Sequence, residues 1–186
     1  MICNLIHKSA PFISCLFGFT LAGETNFPKQ TVDLGIVVSD LNQSLGFYKE
    51  VVGFREIEGF EVKGTFPKAV GLTDGAALDI KVLVLGDAET ATKLKVMQVN
   101  SKKEAKEISQ PFIHTITGFS YITVFVNDVD KVVHNAEKKG LKPYAQSPRI
   151  LPPGFPQDLC LLMLKDPDGN FVEIVGPNTK SLKAQE

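Results

Sequence analysis

The sequence predicts an α+β protein built from two tandem βαβββ modules, whose sheets curve around a shared cavity. Three observations predict it. The first is an internal duplication, in which "VDLGIVVSDLNQSLGFYKEVVGF" from Val32 and "YITVFVNDVDKVVHNAEKKGL" from Tyr121 follow one plan. The second is that each copy is followed by three further stretches of strand length. The third is a segment between them, residues 100–118, which is polar and charged at its start and reads as a linker.

The elements follow in order. Each copy opens on a strand rich in Val and Ile, the residues that fit a pleated, half-buried surface. Each strand leads to an Asp, Asp40 or Asp128, placed to cap the first turn of a helix. Each helix closes at a Gly, Gly53 or Gly140, suited to the left-handed position beyond a helix end. Aligning Asp40 with Asp128 leaves the two opening strands in register without gaps. In the first module the later strands are "FREIEGFEV", "ALDIKVLVLG" and "TKLKVMQV". In the second they are "KPYAQSPRIL", "LCLLMLKD" and "NFVEIVG", the last entered through the turn "DPDG" at residues 166–169. A four-stranded sheet with one helix has one covered and one bare face. Two such sheets can bring their bare faces together and enclose a cavity.

Composition bounds the function. Hydrophobic residues make up 44% and charged residues 22% of the 186, as in a soluble globular protein. A formal net charge of −1 gives no electrostatic reason to bind nucleic acid or an anionic membrane. The N-terminus differs from the rest. Lys8 is followed by an apolar run from Pro11 to Gly23 with small residues at its end, the pattern of an export signal cleaved near Ala22 or Gly23. The alternative is a membrane-anchoring or buried N-terminal helix. The expected divisions are therefore a leader at 1–23, a short segment at 24–31, modules at 32–99 and 119–177 around the linker, and a tail at 178–186. The expected location is periplasmic or secreted.

Cys3 and Cys15 would leave with such a leader, and Cys160 would remain. One thiol excludes an internal disulfide framework and a zinc–thiolate cluster, so Cys160, in "DLCLLML", reads as a buried small hydrophobe. His7 would leave with the leader as well. His134 reads as a solvated helix residue, and His114, in "PFIHTITGF", as a linker residue, the alternative being a residue that lines the pocket.

Strand alternation assigns faces. Leu34, Ile36 and Val38 should pack on the first helix, leaving Asp33, Gly35 and Val37 on the cavity face. By the same parity Lys95 and Met97, then Tyr121, Thr123 and Phe125, then Phe171, Glu173 and Val175 face the cavity. The proline-rich loop "SPRILPPGFPQD" reads as a rigid hairpin that can overhang it, with Phe155 against a ligand and Arg149 holding an anion. Phe47 and Tyr48 read as core between helix and sheet.

The βαβββ repeat, the helix entry "VSDLNQSLGFYKEVVGF" and the terminal "DPDGNFVEIVGP" resemble the vicinal oxygen chelate superfamily, which includes glyoxalase I, bleomycin- and fosfomycin-resistance proteins and extradiol dioxygenases. The resemblance spans Val32 to Pro177. It implies a homodimer, with the cavity closed within one chain or across two, and a divalent ion held by residues of the first and last strands of each module. Carried over by position, the expected ligands fall on Asp33, Lys95, Tyr121 and Glu173. Glu173 matches the family's usual choice and the other positions depart from it. A protonated lysine has no lone pair and places positive charge where a cation would sit. No cofactor is therefore favoured; Glu173 and Asp33 would be the ligands if a divalent metal were bound. The favoured expectation is a metal-free pocket with a polar floor of Asp33, Lys95, Tyr121 and Glu173, lined by Met97, Phe125 and Phe171, that binds a small molecule. Glu173 is a candidate general acid or base. The alternative is a metal-dependent glyoxalase-like lyase or dioxygenase with an altered ligand set.

Overall fold

The computed structural model describes residues 29, 31–87, 89–101 and 109–178. The expected leader and most of the expected tail lie outside the described residues. The described residues from 31 to 178 form one compact unit.

Each module starts as its sequence dictates. Strand β1 (Leu34–Val37) runs into helix α1 (Leu41–Gly46), capped by Asp40, whose carboxylate accepts from the Gln43 N–H at 2.9 Å. The helix continues as a π-helical segment, Phe47–Val52, and ends at Gly53 with φ 103°. In the second module β5 (Tyr121–Phe125) leads to α3 (Val129–Lys138), and Asp128 accepts from the Asp130 and Lys131 N–H groups. The remaining elements of the first module are β2 (Arg55–Val62), a short helix α2 (Phe66–Ala69), β3 (Leu78–Val84) and β4 (Lys93–Met97). Those of the second are β6 (Arg149–Ile150), β7 (Leu159–Lys165) and β8 (Phe171–Pro177). The two sheets repeat one topology, β1-β4-β3-β2 and β5-β8-β7-β6, with the first strand parallel to the last.

Two elements differ from expectation. The stretch 142–151 was expected as a strand, yet only Arg149–Ile150 pairs with β7. Pro143 and Pro148 lack the N–H a ladder needs, and Ala145 adopts φ 54°. Helix α2 falls where no element was expected; Pro67 lies in its first turn, where a missing N–H costs nothing.

The core explains how the modules join. One apolar cluster holds Val38, Phe47, Tyr48, Val51, Leu94 and Val96 of the first module together with Val124, Val129, Val132, Leu162, Val172 and Ile174 of the second. These are the helix-side residues of both sheets. Burying each large side chain contributes about 1.5–3 kcal/mol, so the covered faces, not the bare ones, carry the docking energy. A Glu50–Lys139 ion pair joins the two helices at the surface. Among the described residues the bare faces stay open in part: Val37 is 55% and Phe125 76% exposed. A second small cluster, Leu78, Ile80 and Val82 with Met97, covers part of the bare face of the first sheet.

Candidate functional site

On the bare face of the first sheet, Lys95 Nζ lies 3.1 Å from Asp33 Oδ2, and both side chains are half-buried. The register places Gly35 beside Lys95. No β1 side chain therefore stands between the ammonium and Asp33, two residues earlier on the same face. Phe60 of β2 lies beneath the ammonium, which sits 5.9 Å from its ring centre.

On the bare face of the second sheet, Glu173 is held differently. Thr123 stands opposite it in the register and donates from Oγ1 to Glu173 Oε1 at 2.8 Å. Lys95 and Glu173 belong to different sheets and do not pair with each other; of the expected polar floor, Asp33 and Lys95 pair on one sheet, while Glu173 on the other pairs with Thr123. Parity assigned these residues to the right faces, but a face does not say which sheet lies opposite. Tyr121 is exposed at the start of β5, two residues before Thr123 on the same face.

The other expected residues are spread over the structure. Phe171 is 2% exposed, because Tyr144 packs edge-on against it at 5.3 Å and Lys165 lies 4.6 Å above both rings. The later part of the linker secures that cover: Lys165 donates to the Gln110 carbonyl at 2.7 Å and Tyr144 to that of Pro111 at 2.6 Å. Phe171 therefore presents no surface to a ligand. Met97 packs in the small bare-face cluster. Arg149 donates to Gln146 Oε1 at 2.6 Å, and Phe155 is exposed on its loop. His114 stacks on Phe112, His134 is exposed on α3, and Cys160 is buried in β7.

Sequence reasoning missed a polar network between the modules. Tyr48, buried in the π-helical segment, donates from its hydroxyl to Asp166 Oδ2 at 2.8 Å. Asp166 Oδ1 also accepts from the Asp168 and Asn170 N–H groups, and Oδ2 from the Asn170 amide. Asp168 in turn accepts from the Ser39 N–H at 2.9 Å and the Ser44 hydroxyl at 3.3 Å. The "DPDG" turn thus clasps the first helix of the other module. Its sequence signals a turn, but nothing local announces the partner across the core.

Burial pushes the Asp166 carboxyl up from its ordinary value, against the bonds from Asn170 and Tyr48, with Asp168 adding to the rise. Burial, then the Asp166 charge, pushes the Tyr48 phenol up as well. The folded chain holds the Asp166 proton more tightly than the unfolded chain, where it titrates near 3.8. This group therefore favours folding most at low pH, and its contribution falls as pH rises from there through the raised folded value. Urea unfolding of wild type and Asp166→Asn across the acid range should show the wild type gaining on the variant as pH falls. Parallel curves would contradict this.

Between β1 and β5 lies a cleft of about 450 Å³, lined by Asp33, Gly35, Ile36, Tyr121, Thr123 and Asn170 among others. The two strands flank it without pairing, since β1 pairs with β4 and β5 with β8.

The residues do not fit the divalent ion that the resemblance implies. An ammonium occupies one of the expected ligand positions and pairs with Asp33, which occupies another, and Glu173 Oε1 accepts from Thr123. Among the described residues, no three His, Cys, Asp or Glu side chains come together in a way that could hold a metal. No helix among them is long and apolar enough to cross a membrane.

Comparison with solved structures gives the same architecture. A glyoxalase family protein from Bacillus cereus superposes with a TM-score of 0.63 at 14% identity, covering 83% of this chain and 97% of its own. A glyoxylase/bleomycin resistance protein/dioxygenase domain from Frankia sp. gives 0.54 at 15% identity, over 87% and 100%. A putative glyoxalase from Bacillus halodurans gives 0.54 at 16%, over 81% and 98%. At these identities the likeness is one of fold. No curated protein matches the sequence. The family model of the Glyoxalase/Bleomycin resistance protein/Dioxygenase superfamily matches residues 29–174, most of the chain, and the protein belongs to that superfamily.

Proposed function

We propose that the protein binds a small molecule on the bare sheet faces, without the metal its relatives' fold is associated with. The observation that carries this reading is the Lys95–Asp33 pair, which sets a fixed positive charge where a cation would have to bind. The Thr123–Glu173 pair on the other sheet supplies a second polar anchor amid exposed apolar side chains. A homodimer belongs to the reading: Val37 and Phe125 are large apolar groups on open sheet faces, and a second copy would cover them. Export belongs to it as well, supported by the apolar run that follows Lys8.

A thermal-shift screen of metals and small metabolites, run with and without chelator, tests the proposal. A metabolite that raises the melting temperature equally in both conditions supports it. Lys95→Glu should weaken that ligand at least tenfold. Asp33→Asn should cost about 1 kcal/mol of stability, because an ion pair that keeps some contact with solvent contributes little to folding. One equivalent of nickel, zinc or manganese retained by the purified protein would overturn the proposal in favour of a metal-dependent lyase or dioxygenase.

A further inference from the structure

The duplication sets opposite charges at one equivalent position. Aligning Asp40 with Asp128 places Asp33 on Tyr121, Gly35 on Thr123 and Val37 on Phe125. The register pairs Gly35 with Lys95 in the first sheet and Thr123 with Glu173 in the second, so Lys95 and Glu173 are counterparts. In the first sheet the charge is answered locally, because Asp33 lies 3.1 Å from the ammonium. In the second sheet the counterpart of Asp33 is Tyr121, which offers a phenol rather than a countercharge. Among the described residues no Lys, Arg or His pairs with Glu173. Lys165, two residues along β7 from the Met163 that stands opposite Glu173, is engaged elsewhere. It donates to the Gln110 carbonyl and lies over the rings of Tyr144 and Phe171.

The surroundings of this carboxylate suit a cation. Thr123 holds Oε1 at 2.8 Å, and Oε2 makes no hydrogen bond among the described residues. Tyr121 and Phe125 stand two residues to either side of Thr123 on the same face of β5, each about 6.6 Å along the strand. Both are exposed. Aromatic rings attract a cation to their faces and also give an apolar tail a surface to cover. A carboxylate half-withdrawn from water gains more from an opposite charge than one in bulk solvent.

We infer that the bare face of the second sheet binds a primary ammonium group carrying a short apolar tail. The ammonium donates to Glu173 Oε2, and the tail lies against Tyr121 and Phe125. This rests on the reading above and names the chemistry that its second polar anchor selects. Other cations fit less well. A hard metal ion needs several further oxygen ligands, which aromatic rings and the Met163 thioether do not supply. A guanidinium docks on both carboxylate oxygens at once, and Thr123 already occupies one. A quaternary ammonium has no N–H to give to Oε2.

The test titrates the full chain at neutral pH with 2-phenylethylammonium and with 2-phenylethanol, its uncharged counterpart of the same size, by calorimetry and amide chemical shifts. The amine is expected to bind at least tenfold tighter than the alcohol and to move the signals of Thr123, Glu173 and Phe125. Glu173→Gln keeps the shape and the acceptor for Thr123; it should weaken the amine at least tenfold and leave the alcohol within twofold. Phe125→Ala should weaken both probes alike, and Glu137→Gln, an exposed acid of α3, should change neither. Equal affinities for amine and alcohol, an amine affinity that survives Glu173→Gln, or no amine binding at millimolar concentration would each overturn the inference. So would a dimer that excludes the amine and dissociates on Glu173→Gln, since a second copy would then supply the countercharge. These results leave the reading above standing; a retained metal ion is what overturns that one.

Discussion

Asp166→Ala should destabilise the protein by about 3 kcal/mol, with the loss concentrated in the contact between the modules. The carboxylate is 4% exposed and accepts from Tyr48, Asp168 and Asn170. Removing it leaves the buried Tyr48 hydroxyl and two part-buried turn N–H groups without their acceptor, at about 1–3 kcal/mol for each group that finds no other partner. Tyr48→Phe removes one donor and leaves the carboxylate with three, so it should cost less, about 1.5–3 kcal/mol. Chemical denaturation of both variants measures the effect. The order matters as much as the size: a Tyr48→Phe loss equal to or above that of Asp166→Ala would show that the hydroxyl, not the carboxylate, organises the clasp. A double-mutant cycle with Ser44→Ala, which removes a donor to Asp168, would show whether the two halves of the turn act together.

Gly176→Ala should be as damaging for a different reason. A Cβ at this position would stand 2.2 Å from the Val126 carbonyl oxygen and 2.9 Å from Val126 Cγ2. Neither neighbour can move cheaply, because the Val126 N–H is bonded to the Val175 carbonyl at 2.9 Å and Gly176 pairs with Cys160. Accommodating the methyl means parting β5 from β8 at the end of the ladder. Overpacking of this kind costs about 1–3 kcal/mol and sometimes more, and a backbone obstacle places it at the upper end. Gly35→Ala is the internal comparison, with a loss expected below about 1 kcal/mol, since its added carbon makes an ordinary contact. Equal melting temperatures for the two variants would contradict the argument.

Much of the fold was legible in the sequence because its signals are local and repeated. Asp40 and Asp128 cap their helices by bonds to N–H groups two or three residues on, and that geometry depends on nothing distant. The alternation of Leu34, Ile36 and Val38 against Gly35 and Val37 assigned faces without any knowledge of what would cover them. The stretch 142–151 holds only the short strand Arg149–Ile150, since Pro143 and Pro148 have no N–H to give to a ladder.

The candidate site was legible as a set of faces, not as a set of contacts. Parity placed Asp33, Lys95, Thr123 and Glu173 on bare faces; the register then set Glu173 opposite Thr123 and Lys95 opposite Gly35, from where it reaches Asp33 two residues away. The sequence by itself determined the duplicated modules, the helix caps, the two faces of each sheet and the lysine that stands against a metal. The tertiary structure decided that the helix-covered faces of the two sheets would share one core, that Tyr144 would seal Phe171, and that Asp166 would meet Tyr48. The reason is physical. Caps and alternation come from hydrogen bonds and steric rules acting over a few residues, whereas the pairing of distant side chains follows from which apolar surfaces are buried together.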